Sequence, residues 1–198
     1  MTAQAAFIVQ PTAAYIAETT LIPITDPDGT LVPSLTDGTQ TLTFTPGTFF
    51  AETAGTVGWS TWSSPPFAEN PFPRVLANYT ASMLTIDLSL PSLVFGFELE
   101  PDPFDTHTFA AEFFSGATSL GTQSIAVVGN AGARLFALDN TSGLAVDRVV
   151  ISTASADIGF ALANFRYGQG EIDEVPEPGT YALLGAGLIA LALFRRRR

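Results

Sequence analysis

The chain has 198 residues, 46% of them hydrophobic, which is enough to close one sizeable core and argues against a disordered polymer. It has no cysteine, which excludes a disulfide, a thiolate nucleophile and a zinc–thiolate site. There is no lysine, and the last four residues are arginines; residues 1–174 set only four arginines against 18 acidic residues, a formal −14 that argues against nucleic-acid binding by the body.

In chain order, Met1 to Ala6 lack the basic start and apolar stretch of a signal peptide, yet Ala3-Gln4-Ala5 has the small-x-small form of a cleavage site. Residues 1–6 are therefore expected to be the remnant of a longer signal peptide, the alternative being a frayed, Ala-rich terminus. From residue 7 onward the text reads as short strands, at 7–9, 39–44, 82–88, 94–99, 107–113, 121–127, 134–138, 146–152 and 157–166. Several alternate apolar with polar residues, as half-buried strands do; Leu84-Thr85-Ile86-Asp87-Leu88 is the clearest. Turn formers such as Asp26-Pro27-Asp28-Gly29, Asp37-Gly38 and Ser115-Gly116 lie between them. No segment has the pattern of an amphipathic helix. Residues 46–81 are rich in proline and aromatics and are expected to form long loops over one end.

The expected fold class is all-β: an antiparallel β-sandwich or jelly roll over 7–167. A Gly- and acid-rich linker over 168–174 follows, and then one C-terminal hydrophobic helix.

That helix is read from residues 181–194, fourteen without a charge. They give a helix of roughly 21 Å, short for a hydrocarbon core of about 30 Å. Adding Thr180 gives a transmembrane helix over 180–194. Arg195, Arg196, Arg197 and Arg198 would hold its end on the cytoplasmic side and leave the acidic body outside.

Val175-Pro176-Glu177-Pro178-Gly179, the apolar stretch and the terminal arginine cluster, in that order, closely resemble the PEP-CTERM sorting signal. The resemblance covers 175–198. It implies processing near Pro-Glu-Pro by an exosortase, a membrane-embedded cysteine-type transpeptidase. It further implies transient anchoring in the inner membrane and delivery to the cell surface or extracellular matrix, often amid exopolysaccharide. Members of that family normally begin with a cleavable signal peptide. More loosely, Phe95-Gly96-Phe97-Glu98 and Gly159-Phe160-Ala161-Leu162-Ala163-Asn164-Phe165 resemble the jelly-roll bodies of proteins bearing this tail, which carry no agreed activity.

Chemistry in the body is sparse. The single histidine, His107, has Asp105 nearby but no Gly-x-Ser-x-Gly elbow, and reads as an edge residue. Glu98, Glu100, Asp102 and Asp105 are the candidate calcium ligands, since Ca²⁺ takes six to eight oxygens; an acidic, solvated edge is the plainer reading, and no cofactor is otherwise expected. Trp59, Trp62 and Tyr79, with Phe67 nearby, are candidate carbohydrate contacts, because aromatic rings on loops can stack on sugar faces. The reading is thus an exported, non-enzymatic surface or matrix protein. The alternative is an exopolysaccharide-binding module, and a hydrolase working through an acid pair comes third.

Overall fold

The computed structural model describes residues 5–56, 58–140 and 143–169. The sorting motif, the helix over 180–194, the arginine cluster and most of the expected linker and signal-peptide remnant lie outside the described residues. The elements are β1 (Ala6–Ile8), α1 (Ala13–Glu18), β2 (Thr20–Ile22), β3 (Ser34–Thr36), β4 (Thr41–Thr45), β5 (Phe50–Thr53) and β6 (Arg74–Asn78). They continue with β7 (Met83–Ser92), β8 (Val94–Pro101), β9 (Thr106–Ser115), β10 (Thr118–Val128), β11 (Arg134–Asp139), β12 (Val146–Thr153) and β13 (Phe160–Gly168). Among the described residues no helix is long and apolar enough to cross a membrane.

The strands form two antiparallel sheets. The first runs β1-β11-β8-β13-β6-β5, with β2 also paired to β13; the second runs β10-β9-β12-β7-β4-β3. Alternation explains the second sheet. Leu84, Ile86 and Leu88 of β7 point inward with Phe109, Ala111 and Phe113 of β9 and Val149 and Ile151 of β12, while intervening residues such as Thr85 and Asp87 face outward. Against them the first sheet sets Phe95, Phe97, Leu99, Phe136, Phe160, Leu162 and Phe165. Several of these rings meet at 5.4–6.3 Å between centroids.

β13 carries one residue more than β8 across this stretch and still keeps the pattern. Phe160 and Leu162 face the core, and so do Phe165 and Tyr167, so the parity changes between them. Asn164 absorbs the change in a β-bulge, with φ +50° in the left-handed region that Asn tolerates better than most residues. At the same point β13 exchanges neighbours: Ala163 pairs with Val75 of β6, and Phe165 pairs with Ile22 of β2.

The expected strands all appear, most with extended ends. The expectation for 46–81 is corrected. The segment contains β5 and β6, and much of the remainder lies on the outer face of the first sheet, not over an end. Ala54, Trp59, Trp62 and Ala68 pack there on Val75, Ala77, Ala133, Ala161 and Ala163. Small side chains on that face let a loop approach closely. β6 carries three consecutive buried residues, so it has no alternation to read. The short helix α1 covers the neighbouring strip. Thr12 caps it by accepting the Tyr15 N–H, and Tyr15 is buried against Val94, Leu135 and Ala137.

Candidate functional site

Glu98 and Glu100 share the outer face of β8, as their spacing requires, but that face is not solvated. Both residues are 0% exposed. Glu98 Oε2 accepts the Trp62 Nε1–H at 2.8 Å and the Asn164 Nδ2–H at 3.0 Å, and its Oε1 accepts the Glu69 N–H at 2.7 Å. Glu100 accepts the Trp59 Nε1–H at 2.8 Å, the Gly132 N–H at 3.0 Å and the Thr61 hydroxyl at 3.2 Å. Each carboxylate is thus bonded to an indole of the covering loop.

Burial opposes ionisation and the donors favour it. At Glu98 burial wins: the pKa is pushed from 4.5 up to about 7, with the Trp62, Glu69 and Asn164 donors pulling it back. Glu100 is raised too, again by burial, against the Trp59, Gly132 and Thr61 donors.

Beside this pair Arg166 grips Glu69 through two bonds, Nε to Oε1 at 2.6 Å and Nη2 to Oε2 at 2.9 Å. Its Nη1 donates to the Thr19 carbonyl at 3.1 Å. One guanidinium on β13 therefore ties down both the covering loop and the end of α1, in the fork geometry arginine shares with carboxylates. The Tyr15 hydroxyl is buried above Gly96 without a hydrogen-bond partner, and burial, first, with Glu69, raises its pKa.

The remaining candidate residues fall apart in space. Asp102 and Asp105 lie past the covered face, and among the described residues no group of three His, Cys, Asp or Glu could hold a metal ion. The expected calcium set is corrected on that ground: the oxygens of Glu98 and Glu100 are engaged by protein donors under a loop. The two indoles are corrected likewise. Trp59 and Trp62 are each 4% exposed and lie against the sheet, so they offer no open platform for a sugar. Tyr79 is exposed, its hydroxyl 2.7 Å from Glu52, and Phe67 lies under the Arg134 guanidinium at 4.2 Å. His107 Nδ1 is 3.2 Å from the Ser155 hydroxyl.

A cleft of about 280 Å³ opens where β13 changes neighbours. Ile22, Pro23 and Ile24 line it together with Phe72, Pro73 and Arg74, and so do Asn70 and Asn164. Sequence reasoning passed over these residues. The one signal was Asn70-Pro71-Phe72-Pro73, an aromatic residue between two prolines.

Residues 174–198 match the family model described as the PEP-CTERM protein-sorting motif. The chain carries a PEP-CTERM sorting motif. No curated protein matches the chain. Solved structures of similar outline include a mutant family 29 carbohydrate-binding module, 11% identical over 81% of this chain and 98% of its own, with a TM-score of 0.39. Another structure of a family 29 module is 10% identical over 90% and 98%, with a TM-score of 0.38. The CBM22-1–GH10 modules of a Clostridium thermocellum endo-1,4-β-D-xylanase, complexed with xylohexaose, share 10% identity over 60% and 24%, with a TM-score of 0.32. Likeness this distant says nothing of a ligand.

Proposed function

We propose that this chain is an exported, non-enzymatic protein of the cell surface or extracellular matrix, sorted by its C-terminal motif. The observation that supports the reading is the match at 174–198, which follows a sandwich whose last strand is already paired on both sides. In this reading the apolar stretch halts the chain in the inner membrane and the four arginines hold its cytoplasmic end. An exosortase then acts near Pro176-Glu177-Pro178. The body is cargo. Its strongest acid/base candidates, Glu98 and Glu100, are bonded to the covering loop and serve to hold it.

The test is expression of the full chain, with a secretory leader, in a bacterium containing its exosortase and in one where the enzyme's cysteine is replaced. The expected result is a shortened, surface-accessible product only in the first strain, and loss of the shortening when Pro176, Glu177 and Pro178 are changed to alanine. A product of unchanged length and location in both strains would sink the reading.

A second reading, exopolysaccharide binding by the body, is favoured by the amide- and aromatic-lined cleft, not by Trp59 and Trp62.

A further inference from the structure

From its geometry we infer that the cleft at the β13 bulge is a binding site for a neutral polysaccharide, with a pyranose ring stacked on Phe72. The inference rests on the second reading above and gives it a site and a ligand class. Phe72 is 69% exposed, more than any other large hydrophobic side chain among the described residues. Its exposure is built in. Pro71 and Pro73 fix the backbone on either side, the Phe72 N–H is held by Asn70 Oδ1 at 3.1 Å, and the Pro73 carbonyl accepts the Ala54 N–H at 3.0 Å. The ring is backed by Gly55, where a Cβ would stand 2.5 Å from Phe72 Cδ1 and where φ is +79°. One side of the ring thus rests on backbone while most of its surface meets water. A fixed aromatic plane presents a negative π-face to ligand C–H groups and loses little side-chain entropy on binding.

The polar groups around it fit hydroxyls. Asn164 gives its amide nitrogen to Glu98, a carboxylate that can only accept while ionised, so its Oδ1 is left as an acceptor lining the cleft. Asn70 uses its Oδ1 on Phe72 and keeps its NH₂ as a donor. The one charged group in the cleft, Arg74, is already paired with Asp28 and bonded to Thr53 at 2.6 Å and to the Asp26 carbonyl. The cleft therefore offers an apolar plane, a donor and an acceptor, with no unpaired charge. This matches a pyranose ring, whose C–H face is apolar and whose rim is hydroxyl. The formal −14 of residues 1–174 opposes a polyanion. Glycine would fit φ +50° at less cost, but only asparagine gives both the bulge and the bridge from Glu98 to the cleft.

The experiment uses the purified full chain in a detergent without a sugar head group. Binding to soluble β-glucan, glucomannan and xylan is compared with binding to polygalacturonate by affinity electrophoresis and calorimetry. The expected result is binding to at least one neutral polymer, weakened at least tenfold by Phe72→Ala and clearly by Asn164→Gly. Phe104→Ala, which removes a ring 62% exposed and outside the cleft, should leave it unchanged. Melting temperature checks that each variant is folded. Binding that ignores Phe72→Ala overturns the site and leaves the second reading standing, and preference for polygalacturonate overturns the ligand class. Failure to bind any polymer overturns both the inference and the second reading.

Discussion

Replacing Glu98 by glutamine tests the account of the covered face. In the folded protein its carboxyl titrates at about 7, against an ordinary value of 4.5, because burial outweighs three N–H donors. A raised carboxyl pKa means that between those two values the folded chain keeps a proton that the unfolded chain has released. Stability therefore falls as pH rises through that window and levels off above about 7. At about 1.4 kcal/mol for each pH unit, the full loss approaches ~3 kcal/mol. Glutamine has the shape of the protonated acid and cannot ionise, but its NH₂ must face the Trp62 Nε1–H or the Glu69 N–H, a cost that does not vary with pH. The stability of Glu98→Gln relative to the parent chain should therefore rise by up to ~3 kcal/mol between pH 5 and pH 8. The assay is urea unfolding of the full chain, followed by tryptophan fluorescence at intervals from pH 5 to 8. Glu100, also raised, leaves a residual slope in both proteins, and the remaining acids cancel in the comparison. Parallel stability profiles for the two proteins would refute the argument.

Gly96→Ala should destabilise by about 1–3 kcal/mol in the same assay, the usual cost of overpacking, since its Cβ would run into Ala137 Cβ and stand 2.6 Å from the Tyr15 hydroxyl. Arg166→Ala should cost about 3–5 kcal/mol by stranding a buried carboxylate, because Glu69 has its fork there, and limited proteolysis should then cut the covering loop first. Asn164→Val should cost about 1–3 kcal/mol in backbone strain alone, at a φ of +50° that a β-branched residue resists; Asn164→Gly should be milder, losing chiefly the bond to Glu98.

Much of the sandwich was legible because its second sheet buries one face only. Alternation in Leu84–Leu88 or Phe109–Phe113 reports that asymmetry directly. The first sheet is covered on both sides, so β6 and β8 lose the polar half of the pattern: all eight residues of β8 are buried. Glu98 and Glu100 then read as solvent-facing acids, when each instead had to find a donor indoors. The clue was in two places at once. Two carboxylates two residues apart on a strand needed partners, and two indole N–H groups three residues apart on an irregular segment needed acceptors. Neither requirement names the other, since some 36 to 41 residues separate them in sequence. The helix α1 escaped because six residues are too few to show a period.

The covered face also explains why one strand carries so many special residues. A loop with little secondary structure of its own cannot be held by alanine contacts alone, and β13 supplies the polar anchors: Asn164 to Glu98, and Arg166 to Glu69 and Thr19. The same bulge that keeps Phe165 and Tyr167 in the core makes β13 leave β6 for β2, and the gap between those two strands is the cleft. Loop attachment, the exchange of neighbours and the cleft thus meet at one inserted residue. Deleting Asn164 would remove the residue that the bulge absorbs: Phe165 would follow Ala163 directly, opposite Phe97, and Phe165, Arg166 and Tyr167 would keep their faces. A chain so altered should fold, with both the bulge and the bond to Glu98 lost, whereas Asn164→Gly, which keeps the bulge, should lose only the side-chain bridge. That contrast, read by circular dichroism, tryptophan fluorescence and polysaccharide binding, separates the backbone bulge of the position from its side chain at the cleft.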